Sequence, residues 1–454
     1  MTRATTARAD DTLRAGAAPI LATCVHYGFC TATCPTYVLT RDENDGPRGR
    51  IDLIRAMLAS DAPPDAKTVH HLDRCLSCLG CTTTCAVKVD YLHLIDIART
   101  HIEATYVRPL AERLGRAMIA ATIPHPARMR AALTLARLAK PFRALLPATL
   151  RAMVDMAPPA DEIDGGLTRP AVHPAEGERR RRVALLPGCA QQALDRNVNA
   201  ATIRLLTRLG CEVVVPEGLG CCGALTLHMG RTDDGKGFAR RVVAALMREQ
   251  AAGGLDAVVV NASGCGTVVK DYGHLFADEA ALAGPAAEVS RLCRDVSELV
   301  AELGLPERVE KRGYRVTYHD ACSLRHGQKV TAPPRRLLRE AGYVVADVPE
   351  GHMCCGSAGV YNILQPELAE ALGRRKAGHV ASTDPDIVAM GNIGCLTQLR
   401  RYADAPAVHT VELIDWATGG PMPARLAGRT LRPPAPPAAE AGPAAAAEPP
   451  ASFW

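Results

Sequence analysis

The sequence has few aromatic residues, no long apolar run and no strong excess of either charge. Aromatic side chains make up 4% of its 454 residues, and the formal net charge is +5. Nucleic-acid binding would require more stacking rings and a larger basic excess, so no nucleic-acid partner is predicted. No segment reaches the roughly 18 uncharged apolar residues of a membrane-spanning helix, and the first residues lack the apolar middle of a secretory signal. We therefore expect a cytoplasmic protein.

Cysteine, by contrast, is abundant, with 17 residues. Cytoplasmic thiols stay reduced, so in a chain of this size they indicate metal binding or redox chemistry rather than disulfides. Seven cysteines lie between Cys24 and Cys85, and ten lie between Cys189 and Cys395. This distribution predicts two metal-binding regions separated by a connector.

The clearest motif of the first region is C-x2-C-x2-C-x3-C, formed by Cys75, Cys78, Cys81 and Cys85. Three thiolates at intervals of three can hold one iron–sulfur cube, and in two-cluster ferredoxins the fourth cysteine ligates the other cluster. Structural zinc sites instead use Cys pairs separated by about a dozen residues or more, which disfavours zinc.

An earlier run, Cys24, Cys30 and Cys34, keeps this spacing but has Tyr27 where the second cysteine is expected. The crossing rule assigns the thiols to two clusters. A [4Fe-4S] cluster takes Cys34, Cys75, Cys78 and Cys81, and a [4Fe-4S] or [3Fe-4S] cluster takes Cys24, Cys30 and Cys85. Tyr27 is a candidate non-cysteine ligand of the second cluster, with water or His26 as alternatives. In the other interpretation, Tyr27 packs beside the site without binding iron.

The connector between the two regions is rich in Ala, Leu and Arg and reads as helices interrupted by prolines. Its basic residues far outnumber its acidic ones, a pattern typical of a solvated helical face or of an amphipathic segment on an anionic membrane surface. The Pro/Ala-rich tail, residues 428–454, is predicted to be disordered.

The second region contains an internal repeat. In each copy, 31 residues separate a first cysteine from a Cys-Cys-Gly triplet, and a single Gly-Cys closes the copy. Thiols that bind metal should recur in both copies, whereas Cys211 aligns with Tyr343 and Cys293 has no counterpart, so these two are expected in the core. The recurring thiols suit one further iron–sulfur cluster per copy: Cys189, Cys221, Cys222 and Cys265, then Cys322, Cys354, Cys355 and Cys395.

Short β-branched runs alternate with helical stretches in both copies, which predicts parallel strands with crossover helices. The recurring thiols follow strands, so we expect them at the carboxyl edge of each sheet. Gly218, Gly220 and Gly223 formally match a dinucleotide fingerprint, but the second copy lacks the middle glycine and keeps the cysteines, so nucleotide binding is rejected. His319 and Asp320 could move protons beside a cluster, but structural hydrogen bonding is expected instead.

These patterns predict an α+α/β fold: an N-terminal helical two-cluster ferredoxin-like domain, a helical connector and two repeated α/β Cys-Cys-Gly domains with mainly parallel sheets. The expected units are a ferredoxin-like domain at 1–105, a basic connector at 106–182, and repeats at 183–300 and 312–420.

From its start to about residue 418, the chain resembles the iron–sulfur subunit of bacterial glycolate oxidase (glycolate dehydrogenase), in the wider group with heterodisulfide reductase-like Cys-Cys-Gly domains. The resemblance rests on CVHYGFCTATCPTY, DGPRGRI, HLDRCLSCLGCTTTC, GCAQQAL, ASGCG, CCGSAG, NIGC and both CCG triplets. It implies a complex in which flavin-containing partner subunits oxidise glycolate to glyoxylate while this subunit passes electrons towards a quinone. Where the reductase version ends in C-x-x-C, each copy here offers one thiol.

No flavin site or substrate acid–base pair is visible in the sequence, which agrees with an electron-relay subunit whose organic chemistry belongs to a partner. Two alternatives stay open. The Cys-Cys-Gly sites could themselves catalyse thiol/disulfide chemistry, or the chain could serve a lactate or glycerol-3-phosphate dehydrogenase. Contact with the inner face of the cytoplasmic membrane is a further expectation, drawn from the basic connector.

Overall fold

The computed structural model describes residues 3–146, 151, 154, 168–429 and 431–432. Nearly all of the predicted disordered tail, 428–454, lies outside these residues. Within them, no helix combines the length and the apolar character needed to cross a bilayer. The predicted fold class is confirmed: a helical N-terminal region and connector precede two mainly parallel sheets. We propose the predicted boundaries, 1–105, 106–182, 183–300 and 312–420, as the approximate units of the chain, although the first repeat's sheet also includes residues 171–173 and 181–182 and its last helix ends at Leu303.

The N-terminal region is built from helices. They are Arg3–Thr23 (α1), Phe29–Ala32 (α2), Pro35–Thr40 (α3), Pro47–Ala59 (α4), Ala66–Asp73 (α5), Gly80–Thr84 (α6) and Tyr91–Thr105 (α7), with a 3-10 turn at Glu43–Asp45. Helix α4 begins at a proline, whose fixed φ suits the first helical position, and Asp90 caps α7 by accepting from the His93 N–H. Ile54, Leu72 and Leu94 are fully buried between these helices.

Up to residue 146, the connector forms two helices followed by a 3-10 turn, as the prolines predict. Its elements are Leu110–Thr122 (α8), Pro126–Ala139 (α9) and the turn Lys140–Leu145. Met129 is the buried anchor of α9, whereas Leu135 and Leu138 are exposed. The connector therefore presents an apolar face to solvent.

The first repeat folds around a five-stranded sheet. Its strands are Ala171–His173 (β1), Arg181–Leu186 (β2), Cys211–Val215 (β3), Ala257–Val260 (β4) and Cys293–Asp295 (β5), in the order β1-β3-β2-β4-β5. Its helices are Gln191–Leu194 (α10), Asn197–Arg208 (α11), Ala224–Leu227 (α12), Thr232–Gly253 (α13), Ser263–Lys270 (α14), Tyr272–Leu275 (α15), Ala280–Leu292 (α16) and Val296–Leu303 (α17). Only the β1–β3 pairing is antiparallel.

The second repeat has a four-stranded, fully parallel sheet. Its strands are Arg315–Tyr318 (β6), Val344–Asp347 (β7), Ile387–Met390 (β8) and Ala407–His409 (β9), in the order β7-β6-β8-β9. Its helices are Ala332–Glu340 (α18), Tyr361–Leu364 (α19), Pro366–Ala381 (α20), Ile393–Leu399 (α21) and Thr410–Ala417 (α22), with a π-helical turn at Ser323–Gly327 and a 3-10 turn at Ala424–Leu426. In both repeats the strand that precedes the first cysteine lies inside the sheet, which places the loop carrying that cysteine at the centre of the carboxyl edge.

Candidate metal centres

The two N-terminal cysteine runs share one local backbone design. A residue with left-handed φ precedes a short helix in each: Gly28 (φ 84°) precedes α2, and Leu79 (φ 62°) precedes α6. The left-handed residue reverses the chain, so the cysteine before it and the cysteine in the helix face the same point. Helices α2 and α6 pack against each other. The two runs therefore meet as a pseudo-symmetric pair.

The thiols of the second run gather with one thiol of the first. Burial raises the pKa of Cys81 well above its ordinary value, and nearby Cys78, Cys75 and Cys34 raise it further. Cys34 and Cys75 are themselves buried. This is the grouping that the crossing rule predicts for one cluster.

The remaining thiols form a second, more exposed group. Burial raises the pKa of Cys30 to about 11, with further contributions from nearby Cys24 and Cys85. All three side chains are partly exposed. Tyr27 is 69% exposed and stacks on Phe29 with ring centroids 6.2 Å apart. In this conformation the Tyr27 ring belongs to the protein surface around the group.

A buried arginine, Arg50, supports the Cys34 group, although the sequence analysis did not include it among the site residues. The Arg50 side chain donates to the His71 carbonyl (2.8 Å), to Thr36 Oγ1 (3.1 Å) and to Cys34 Sγ (3.8 Å). It also pairs with Asp45, which is fully buried. Arg50 lies in the DGPRGRI segment. The sequence could have indicated its role only through the presence of an arginine on the apolar face of a predicted helix. A guanidinium placed there offsets the negative charge of thiolates.

The Cys-Cys-Gly triplets are shaped by their glycines. Gly223 has φ +90°, and a Cβ there would meet the Gly235 carbonyl oxygen at 2.5 Å; Gly356 has φ +87°, and a Cβ would meet the Ala369 carbonyl oxygen at 2.6 Å. Any larger residue would both strain the backbone and strike the following long helix. The glycine therefore lets the paired cysteines approach the sheet edge identically in both repeats.

The four recurring thiols of the first repeat lie in contact with one another. The adjacent Cys221 thiol, together with burial, raises the pKa of Cys189 well above its ordinary value. The Cys222 thiol contacts both Cys221 and Cys265, which with burial raises its pKa. Cys189, Cys221 and Cys222 are almost completely buried.

The second repeat repeats this arrangement. Cys322 Sγ lies 3.7 Å from Cys354 Sγ, and the Cys355 thiol contacts both Cys354 and Cys395. Asn392 Nδ2 donates to Cys395 Sγ at 3.5 Å. The hydrogen bond to Cys354, and then burial, raises the pKa of Cys322.

Cys211 and Cys293 lie elsewhere, inside the first repeat. Cys211 begins β3 and Cys293 begins β5, both almost completely buried among aliphatic side chains. Burial raises the pKa of Cys211 to about 11 and that of Cys293 to about 12. Their surroundings are those of core residues.

His319 and Asp320 differ from each other. Asp320 forms ion pairs with Arg325 and Arg335, which agrees with the expected structural role. The His319 side chain is fully buried, and neither ring nitrogen has a hydrogen-bond partner among the described residues. Structural hydrogen bonding does not account for His319.

Seven of the eight recurring thiols, all but Cys355, line one cavity of about 290 Å³, whose wall is mainly apolar. Cys189, Cys265 and Cys395 lie in its wall, and Met129 and Leu133 of the connector helix α9 cover it. The connector thus forms part of the wall that separates the thiols from solvent.

The ferredoxin-like region contacts the second repeat directly. Burial, and next the nearby Cys322 thiol, raises the pKa of Cys78 well above its ordinary value. His326 Nδ1 lies 2.8 Å from Thr83 Oγ1 in α6, and its Nε2 lies 2.9 Å from the His352 carbonyl, two residues before the triplet. Thiols of the two regions are therefore neighbours.

The donor chemistry fits iron–sulfur clusters. Thiolates that are crowded together and buried repel one another, so without a cation these cysteines stay protonated. A soft metal ion would bind them as thiolates. Four such groups are present, two in the N-terminal region and one in each repeat, and each brings together thiols that spacing or recurrence grouped in the sequence.

Comparison with known families supports this chemistry. Residues 20–89 match the family described as a 4Fe-4S dicluster domain, and residues 183–270 and 316–400 each match the family described as a cysteine-rich domain. The cofactors are accordingly iron–sulfur clusters.

Several curated proteins are similar to most of the chain. The glycolate oxidase iron–sulfur subunit of Escherichia coli K12 is 39% identical over 88% of this chain and 94% of its own length. The probable glycolate oxidase iron–sulfur subunit of Bacillus subtilis is 32% identical over the same shares of the two chains. Lactate utilization protein A of Bacillus licheniformis is 30% identical over 52% of this chain and 99% of its own length.

Proposed function

This chain belongs to the family of glycolate oxidase iron–sulfur subunits, and we propose that it takes electrons from a flavin-containing glycolate dehydrogenase subunit and passes them towards a quinone. It is an electron-transfer subunit of an oxidoreductase complex. Iron–sulfur clusters supply the one-electron chemistry when bound. The chain itself would hold them, exclude water and set their spacing.

One observation carries the proposal: three of the four thiol groups adjoin one another in a series, and the first repeat's thiols line the same cavity as those of the second repeat. The partly exposed group of Cys24, Cys30 and Cys85 adjoins the buried group that includes Cys81, because the Cys30 thiol is among the neighbours that raise the pKa of Cys81. Cys78 of the buried group adjoins Cys322 of the second repeat. We propose the ligand sets predicted from the sequence for all four groups.

The exposed end of this series suits a protein partner. Val25, Tyr27 and Phe29 are all more than half exposed around the least buried thiols. An apolar patch beside a redox site favours docking of another protein, because docking buries the patch and shortens the distance to a donor. We propose that the flavin-containing subunit binds here.

The opposite end suits a membrane and a quinone. Helix α9 turns Met129, Leu133 and Ala136 towards the cavity and leaves Leu135 and Leu138 exposed, and the exposed face continues at Phe142 and Leu145. Between residues 113 and 154 the sequence has eight basic residues and no acidic one. Such a surface attracts anionic lipid, and the mainly apolar cavity behind it suits an apolar electron acceptor.

The partner assignment is tested by anaerobic co-purification of the tagged chain with its complex. We expect the wild-type chain to retain flavin-containing subunits and to show iron–sulfur EPR signals on adding glycolate. A Tyr27→Ser, Phe29→Ser double variant should lose the flavin subunits, whereas Met422→Ser, an exposed apolar control, should keep them. Retention of flavin by the double variant would place the partner elsewhere.

Membrane contact is tested with vesicles of phosphatidylglycerol and phosphatidylcholine. We expect the wild-type complex to sediment with them, and to bind pure phosphatidylcholine vesicles more weakly. Leu138→Ser combined with Phe142→Ser should reduce binding about a hundredfold or more, because two apolar side chains that the membrane would bury contribute about 1.5–3 kcal/mol each. If this variant instead binds lipid normally but loses a subunit, the surface is a protein interface.

A further inference from the structure

The imidazole of His319 is a buried polar side chain that the proposed function does not use. It directly follows β6, and its main-chain N–H donates to the Ala389 carbonyl at 2.9 Å. The side chain is fully buried, and both ring nitrogens lack partners within the described part of the chain. A buried nitrogen without a partner costs free energy, so a native fold that retains one usually supplies the partner in another form.

The ring is directed at the second repeat's thiols. A ring nitrogen of His319, Cys355 Sγ and Cys395 Sγ all lie within 4.8 Å of one another. No hydrogen bond joins the ring directly to either sulfur in the described structure, so the three groups surround a common space. Asn392 already donates to Cys395 from another side.

The first repeat has no equivalent of this ring. Cys189 and Cys322 are corresponding cysteines, and the residue three positions before each is Leu186 in the first repeat and His319 in the second. Leu186 is buried in the apolar core. The two repeats therefore offer the same four thiols in different electrostatic surroundings.

A second difference points the same way. Lys376 of α20 is 2% exposed, and its Nζ donates to the Glu350 carbonyl at 2.6 Å. Its charge interacts with Cys355 and Cys354. At the corresponding distance from the first triplet lies Val243, an aliphatic core residue. The second repeat thus places a donor and a cation beside its thiols.

We propose that His319 donates an imidazole N–H hydrogen bond to the sulfur of the iron–sulfur cluster held by Cys322, Cys354, Cys355 and Cys395, and thereby raises that cluster's reduction potential above that of the first repeat. This inference rests on the proposed ligand assignment. Hydrogen bonds to cluster sulfur stabilise the more negative, reduced state and so raise the potential. Because four thiols already provide one ligand per iron, His319 acts as a donor and not as a ligand.

The test uses the anaerobically purified complex and EPR-monitored redox titration. The signal of the second-repeat cluster is identified as the one that Cys395→Ser abolishes. In His319→Leu, which copies the first repeat, we expect unchanged iron content and a lower potential for this signal alone. A tenfold shift in its reduction equilibrium corresponds to 59 mV for a one-electron step.

Two matched variants separate tuning from structure. His319→Gln keeps an N–H donor and should restore most of the potential. Leu186→His should raise the potential of the first-repeat cluster, which Cys265→Ser identifies. Labelling histidine with ¹⁵N should reveal a weakly coupled nitrogen at the second-repeat signal that His319→Leu removes.

Several outcomes would overturn the inference. These are an unchanged potential in His319→Leu, loss of iron from that variant, or a strongly coupled nitrogen, which would show direct ligation. Failure of the ligand assignment is distinguishable, because Cys395→Ser would then retain all of its iron and every signal.

Discussion

At the residue scale, the role of a cysteine here depends on its neighbours more than on its burial. Cys293 is as deeply buried as Cys222, but Cys222 contacts two other thiols whereas Cys293 lies among aliphatic side chains. Recurrence in both copies of the repeat distinguishes the clustered thiols from the core thiols in the sequence alone. The thiol groups could therefore be predicted without a structure.

The side chains that surround the thiols could not be predicted in the same way. Arg50 reaches Cys34 across the fold, and His326 reaches Thr83 over 243 positions of sequence. Such contacts depend on how separate elements pack, and no local spacing encodes them. The sequence analysis selected His319 as a candidate but could not predict that its ring is buried without hydrogen-bond partners in the described part of the chain.

A cysteine pair tests this distinction. Cys81→Ser should lose the iron of one cluster, because serine is a poorer ligand for a soft metal. Cys293→Ser should keep all iron and be destabilised by roughly 1–3 kcal/mol, because it buries a hydroxyl in an apolar core. Iron and sulfide analysis with thermal unfolding distinguishes the two. Equal iron loss in both variants would contradict the assignment.

At the element scale, the predicted strands are the central ones together with β7, which has four residues and lies at a sheet edge. Strands such as β2 and β4 are β-branched runs buried on both faces, which is a strong local signal. The strands that the sequence did not predict, β1, β5 and β9, have three residues each and lie at sheet edges. A run of three residues is too short to show an alternation of apolar and polar side chains. These strands are defined only by their pairing with a neighbouring strand. Strand β1 consequently joins the sheet from within the segment assigned to the connector.

The turn at each triplet is sensitive to the addition of one methyl group. Gly356→Ala places a Cβ against the Ala369 carbonyl, which Gln398 also holds by a 2.8 Å hydrogen bond. We expect Gly356→Ala to cost at least about 3 kcal/mol, the sum of left-handed strain and a backbone clash that must be relieved. Gly359 also has a left-handed φ, +66°, but a Cβ there would meet no atom within 4 Å. Gly359→Ala should therefore lower the free energy of unfolding by only about 1 kcal/mol.

Denaturant unfolding of both variants measures this difference. Similar losses would show that conformation alone, and not the approach of α20, requires glycine in the triplet. Iron content in Gly356→Ala should fall as well, because the displaced triplet carries two of the predicted ligands.

At the scale of the whole molecule, polar contacts join the ferredoxin-like region and the connector helix α8 to the first repeat. Thr100 Oγ1 lies 2.7 Å from Thr232 Oγ1, and Arg116 Nη2 donates to the Met229 carbonyl at 2.7 Å. His93 Nε2 contacts Asp271 Oδ2 at 3.0 Å. These contacts lie far apart in sequence, so the arrangement of the domains could not be predicted from motifs.

His93 makes this junction sensitive to pH. Burial lowers its pKa, but hydrogen bonds to Asp271 and Asp90 outweigh burial and raise the pKa to about 10. A raised histidine pKa contributes stability that is complete below the unfolded value of about 6.5 and is lost as pH rises through about 10. We expect the stability difference between wild type and His93→Gln, roughly 2 kcal/mol at pH 6, to vanish by about pH 11.

Thermal unfolding of the two proteins across this pH range measures the difference. His274→Gln serves as a control, because His274 stacks on His93 without bonding Asp271 in the described structure. A difference that grows with pH would contradict the assignment.

The contact of His326 with both Thr83 and the His352 carbonyl has a consequence for biogenesis. One imidazole spans the helix that carries Cys81 and the segment leading into the second triplet. If iron were bound on one side, these contacts would hold the ring in place and so restrict the opposite side. We therefore expect cofactor loading at the two places to be cooperative, with fewer half-filled subunits than independent insertion would give.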